Sequence, residues 1–316
     1  MTFPTLPNTA QFELQRWMND WADLENRLSQ VLLKPQEHPQ LPTELAELHQ
    51  QLTAFLDQDA DATLYWLFQL AASSTVGYST SHALVCASLC HLVGPALGLA
   101  PAQQTPLTRA ALTMNLAMTR LQDDLAAQQT PPTPAQRQTI DQHPSLSAQM
   151  LRQQGITDAT LLQIVAHHHD AITPQTDLPS RILMACDRYA ALISPRETRP
   201  GRCVTDSARG VIVRNKQGID EVGHALLRTV GVCPPGTFVR LHDQQVAIVL
   251  RRTAQPAAPW VATVLDATQH PVAEPELVNT SEDGRGVEAA LLTRSVRVRL
   301  NHAKLLQLSH LATQRV

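Results

Sequence analysis

The chain has 316 residues, 43% hydrophobic and 17% charged, which suits a globular protein of two domains or of one large domain with an appendage. A formal net charge of −3 argues against a nonspecific nucleic-acid partner and against a polybasic membrane anchor, and 4% aromatic content argues against base-stacking platforms. Residues 10–33 carry a helical pattern, with Phe12, Leu14, Trp17, Trp21, Leu24, Leu28 and Leu32 at spacings of three and four. The Trp17, Trp21 and Leu24 stripe reads as core, with a homodimer face as the alternative. After the break KPQEHPQLP, Thr43 is placed to cap a second helix with Leu45, Leu48, Leu52 and Leu56 as its stripe. A longer helical series over 62–99 is interrupted near Gly77. Pro101 and Pro106 frame a turn, and a helix follows over 107–125. Beyond QQTPPTP, Thr133 caps a helix to Gln142, and helices are expected over 144–154, 158–169 and 180–194, with Gly155 as a C-cap.

The pattern changes after Gly231. Residues 238–241, 246–250, 260–265 and 296–300 are short alternating or β-branched runs, closed by a short helix over 301–313. The expectation is a mainly α protein: an N-terminal helical region (1–60), a helical domain (61–230) and a small β-rich C-terminal subdomain (231–316). Cys86, Cys90, Cys186, Cys203 and Cys233 lack paired CxxC spacing and read as reduced thiols of a cytoplasmic protein. The first residues lack a secretory signal pattern, and no stretch is long and apolar enough to span a bilayer.

Several ionisable residues fall on apolar stripes. His82 has Tyr78, Val85, Cys86 and Leu89 as helical neighbours, and His168 has Leu161, Ile164 and Val165. His169 lies beside Val165 and is read as inward-facing, whereas His167 is one position off the stripe and reads as solvated. Asp187 sits among Leu183, Met184, Ala190 and Ala191, where a carboxylate is costly unless paired or metal-bound. His143 stands before Pro144 at a helix junction. Four such histidines and one aspartate could converge in a bundle core, since bundles build metal sites from inward side chains. Each taken singly also has an ordinary reading, as a hydrogen-bonded core histidine or half of an ion pair.

The order of these residues resembles the HD-GYP domain, a branch of the HD phosphohydrolase superfamily whose members hydrolyse cyclic di-GMP. His82, His143-Pro144, His168-His169-Asp170, Arg181-Ile182-Leu183, Asp187 and Arg196 to Arg199-Pro200 stand in the family's order, and LLRTVGVCPPGTFVRL is similar to its ending. The resemblance implies an HD-type helical bundle. It also implies that His143, His168 and His169 hold one divalent metal, that His82 and Asp187 remain from a second set, and that Arg196 and Arg199 clamp phosphate. The family's His-Asp pair is replaced here by Met114 and Asn115, its lysine by Met118, and Tyr78 stands at a carboxylate position. Gly-Tyr-Pro is absent, since AITPQTDLP leads directly to the next helix.

These departures bear on mechanism. A bridging aspartate helps hold two cations a few ångströms apart. Asn115 lacks that charge, and the Met114 thioether is a weak ligand suited to soft ions. The expectation is a degenerate member with weak or no phosphodiesterase activity. It would act as a sensor of a cyclic dinucleotide or another phosphoester, or as a module for a signalling protein partner. The alternative is a phosphohydrolase using one iron, manganese or zinc ion at the three histidines, and a third reading is a structural relic without metal.

Overall fold

The structure, a computed structural model, describes residues 8–73, 77–173, 175–193, 221–282 and 284–314; Arg196, Arg199 and Cys203 lie outside them. Two long helices open the chain, α1 (Asn8–Leu33) and α2 (Leu41–Ser73), joined through a 3-10 turn at Pro35–Glu37. The second begins at Leu41, so Thr43 lies inside its first turn and does not cap it. It bends at Asp59, whose φ of −157° and ψ of 92° leave the helical region. Trp21, Leu24 and Leu28 are buried in one core with Leu45, Leu48 and Leu52, and Trp17 packs against it. That stripe is therefore core.

Gly77, at φ 70°, leads into α3 (Tyr78–Ala96). This helix is apolar nearly all round, a pattern that requires burial on every side. It runs through the centre of the body, packed against α1, α2, α4 (Pro101–Thr113), α5 (Thr119–Ala127), α8 (Leu178–Ile193) and α9 (Glu221–Val230). The single helix expected over 107–125 is in fact two. Pro101 occupies the first turn of α4, where its missing N–H costs nothing, so the helix starts there. It stops at Met114, and a 3-10 turn at Leu116–Met118 leads into α5.

Conversely, α6 (Pro134–Gln153) is one helix where two are expected, and Pro144 lies inside it. Thr133 and Gln136 form a capping box at its start. At its end Gly155 takes φ 88°, its N–H donates to the Arg152 carbonyl at 3.1 Å, and that of Ile156 donates to Leu151 at 3.0 Å. The Asp158 side chain caps α7 (Ala159–His167), accepting from the Leu161 N–H at 3.0 Å.

The C-terminal unit is an antiparallel sheet of order β4-β3-β2-β1-β5, with β1 (Phe238–Leu241), β2 (Val246–Arg251), β3 (Trp260–Leu265), β4 (Leu277–Asn279) and β5 (Val287–Ala290). A final helix, α10 (His302–Thr313), packs on β2 and β3. The strand expected over 296–300 does not form. Val296, Val298 and Leu300 do send alternate side chains to the cluster of Phe238 and Ile248, but their backbone joins no ladder. The unit docks tightly on α2: a Cβ added at Gly236 would lie 2.9 Å from both Phe68 Cβ and the Tyr65 carbonyl. Arg251 bonds Asp59 at 2.7 Å beside it. Among the described residues, no helix is long and apolar enough to cross a membrane.

Candidate metal centre

His143 is positioned on α6, and Pro144 beside it sets its chemistry. In an unbroken helix the N–H of residue 144 would bond the carbonyl of residue 140. Proline has no N–H to give. The Nδ1–H of His143 donates to the Ile140 carbonyl instead, at 2.5 Å. His168 reaches the same state from a helix end. Because α7 stops at His167, the Val165 carbonyl loses its helical partner, and His168 Nδ1–H donates to it at 2.7 Å.

Both rings thus keep their proton on Nδ1 and present a bare Nε2 lone pair. The two Nε2 atoms face one another at 3.1 Å, on residues that are 0% and 1% exposed. Two acceptors at that separation repel unless a proton or a cation lies between them. Burial lowers the His143 pKa to about 4. Burial, reinforced by the charge of His169, lowers that of His168 to about 3. A bridging proton is therefore disfavoured near neutral pH, and a cation fits. Two imidazole nitrogens about 2.1 Å from one ion, at a tetrahedral angle, would be about 3.4 Å apart, close to the spacing here.

His169 completes the group. Its ring lies 5.0 Å from that of His143 and 4.3 Å from that of His168, centroid to centroid. One nitrogen from each of the three lies within 4.8 Å of the others. Contrary to expectation His169 is exposed, because the helix that would have turned it inward has already ended. It stands on the open side of the centre. His167 is solvated as expected and pairs with Asp170 at 2.8 Å.

His82 and Asp187 form a second group, contributed by α3 and α8. Their Nε2 and Oδ1 atoms are 2.8 Å apart; His82 is 1% exposed, and the Asp187 side chain keeps 16% of its surface. Burial alone would raise the Asp187 carboxyl. The hydrogen bond and charge of His82, with His169 and His168 behind, outweigh it and hold the carboxyl well below the usual range. Tyr78 stacks on the His82 ring at 5.7 Å. Cys86, absent from the candidates read from the sequence, places its Sγ 3.6 Å from the same His82 Nε2. The signal for it was the four-residue spacing, which sets both side chains on one helix face. Burial first, then the charges of Asp187 and Cys186, push the Cys86 thiol up.

The five candidate ligands therefore gather in two groups, three histidines in one and His82 with Asp187 in the other. The groups feel each other, since the Asp187 charge opposes the lowering at His143 and His168. Met114 is buried at the end of α4, and Asn115 starts the 3-10 turn. That turn docks on α6 through the Ala117 N–H, which donates to Ser147 Oγ at 3.0 Å. Ser147 is one helical turn from His143 on the same buried face. The Asn115 Oδ1 atom is buried and has no hydrogen-bond partner among the described residues. The candidate phosphate clamps Arg196 and Arg199 fall outside the described residues.

With this geometry established, comparison with known proteins gives concordant findings. Residues 116–192 match the HD domain family, and the match starts directly after Met114 and Asn115. A 123-residue stretch is 27% identical to the cyclic di-GMP phosphodiesterase PA4108 of Pseudomonas aeruginosa. It spans 36% of this chain but 30% of that protein's length. The fold superposes on Bd1817, an HDG"Y"P protein from Bdellovibrio bacteriovorus, with a TM-score of 0.53 and 15% identity over 71% of this chain and 72% of that one. At that identity the likeness is one of fold.

Proposed function

We infer that this chain, which carries an HD domain akin to those of HD-GYP proteins, is a cyclic di-GMP signalling protein that binds its nucleotide at a metal-dependent site and does not cleave it at an enzyme's rate. The observation that supports the site is the facing pair of bare Nε2 atoms of His143 and His168, 3.1 Å apart, each locked by a backbone carbonyl. His143, His168 and His169 would hold one divalent cation, iron, manganese or zinc, which when bound supplies Lewis acidity toward a phosphate oxygen. The chain's own contribution is placement. His143 and His168 close the inner side, and exposed His169 marks the side on which a phosphoester could approach. Arg196 and Arg199 are proposed to clamp its phosphates.

The reading of binding over cleavage follows from residue chemistry. Asn115 has no charge to hold a second cation beside the first, and Met114 offers only a weak thioether. His82 and Asp187 are bonded to each other at 2.8 Å. In this reading the output passes to a signalling protein partner in the cytoplasm. Titration calorimetry with cyclic di-GMP and manganese tests the proposal: binding is expected in the wild-type chain and lost in His168→Ala, with no turnover in either. Clear turnover in the wild type that disappears in His168→Ala overturns it.

One observation favours a second reading, a hydrolase of a different phosphoester built on the three histidines alone. The exposure of His169 leaves an open side at which a substrate could sit. Metal-dependent cleavage of an activated phosphodiester, abolished in His143→Ala, would establish it.

A further inference from the structure

We propose that a cavity between α1, the break in α2 and α10 binds a small organic ammonium, a primary amine carried on a short apolar body. The cavity measures about 200 Å³, and each of the three helices supplies one turn of its wall. For scale, an apolar cavity of about 150 Å³ takes up benzene, so this one suits a ligand of roughly eight to ten non-hydrogen atoms. Leu14, Ala62 and Leu306 give it an apolar side, one residue from each helix.

The rest of the wall favours a cation. Glu13 and Trp17 both line the cavity and lie four residues apart on α1, so carboxylate and indole stand on one helix face. An ammonium between them meets a negative charge and the electron-rich face of a ring together. Glu13 has no ion-pair partner among the described residues, and the nearby Arg16 is paired with Asp20 at 3.7 Å. The indole is a fixed wall. It stacks on Trp21 at 6.0 Å and meets Phe55 and Trp66 edge-on at 5.5 Å and 5.8 Å, centroid to centroid.

The break in α2 adds to the same bias. The N–H groups of Asp61 and Ala62 donate to Asp59 Oδ1 at 3.1 Å and 3.0 Å. An unbroken helix would send them to the carbonyls of Asp57 and Gln58. The first part of α2 therefore ends at the cavity, where a helix terminus of carbonyls carries partial negative charge. Asp59 is already occupied by those N–H groups and by Arg251 at 2.7 Å, which leaves Glu13 as the free anion. The side-chain oxygens of Gln58 and Gln307 can take further N–H groups, and no lysine or arginine lines the cavity. The inference is independent of the binding function proposed above, since none of the three histidines borders this cavity.

Benzylamine, an ammonium on a ring of suitable size, is the probe, with benzyl alcohol as its uncharged counterpart. Both would be titrated into the full-length chain by ligand-observed nuclear magnetic resonance, after chelator treatment so that no amine can sit on a metal. Benzylamine should bind saturably at neutral pH, about tenfold or more tighter than benzyl alcohol. Glu13→Gln should remove that preference, and because Glu13 is exposed the variant should keep the wild-type circular dichroism. Ala62→Leu, which fills the cavity without altering charge, should abolish binding of both probes. Absence of saturable benzylamine binding overturns the proposal, as does equal affinity for the two probes in the wild type. Benzylamine binding unchanged in both variants places the amine elsewhere and overturns it as well. Should Ala62→Leu fail to fold, the comparison of Glu13→Gln with the wild type decides alone.

Discussion

Pro144 withholds an N–H from the Ile140 carbonyl, and the neighbouring His143 ring supplies one in its place, at 2.5 Å. A His-Pro dipeptide inside a helix thus fixes an imidazole tautomer without a carboxylate. Pro144→Ala would return a backbone N–H that competes for that carbonyl and frees the ring to turn. Partners of this kind typically govern metal affinity by about 10–100-fold. Manganese affinity measured by calorimetry should fall within that range. The metal-free protein should meanwhile melt no lower, since a proline inside a helix costs about 3 kcal/mol. Unchanged affinity would mean that the proline does not set the ring.

The buried histidines also make a directional statement about pH. The pKa values of His143 and His168, about 4 and about 3, lie below the ordinary 6.5, so the unfolded chain binds more protons than the folded one. Their contribution to stability is complete above the unfolded value and is lost as pH falls from about 6.5 toward 3, at roughly 1.4 kcal/mol per unit for each ring. Asp187 is also held below its ordinary value, so its contribution is lost only at more acid pH, below about 4. Metal-free protein should therefore melt progressively lower between pH 7 and pH 5, in a range where Asp187 stays ionised. The double variant His143→Asn/His168→Asn should show a flatter profile, and parallel profiles would count against burial as the cause.

The seat of the β unit is tested at Gly236. Its φ of 89° is hard for any other residue, and a Cβ there would press on Phe68 and on the Tyr65 carbonyl, each 2.9 Å away. One contact is with backbone, so the neighbour cannot simply rotate aside. Gly236→Ala should destabilise the chain by about 1–3 kcal/mol in denaturant unfolding. Manganese affinity at the three histidines should be unchanged, because α2 carries none of them.

Periodicity made the helical body legible, because apolar residues at three- and four-residue spacing have few other uses. The errors have local causes. Pro144 reads as a helix break, yet the missing hydrogen bond is replaced by a side chain that no propensity scale counts. The alternation of Val296, Val298 and Leu300 reports burial and carries no information on pairing, so it suggests a strand where only the packing exists. Within the candidate centre, the family resemblance implied both the five candidate ligands and their division into three histidines and the His82 and Asp187 pair; it did not show the exposure of His169, which follows from where α7 ends. Cys86 was hidden by its own ordinariness, since a buried thiol on an apolar face is usually just core.

Asn115 offers the most informative substitution. The turn it begins docks one helical turn from His143, and its buried Oδ1 lacks a hydrogen-bond partner among the described residues. Asn115→Asp changes little in shape but places a negative charge where no donor receives it. The metal-free variant should lose stability, by about 1–3 kcal/mol for an unsatisfied buried group, and manganese should restore it, because a ligand that binds only the folded state stabilises it. Adding Met114→His supplies a further imidazole beside the new carboxylate. The double variant should bind a second manganese ion and gain measurable cleavage of cyclic di-GMP over the wild type. If Asn115→Asp melts like the wild type and manganese shifts both equally, Asn115 does not face the centre, and the weak chemistry proposed for this chain has another origin.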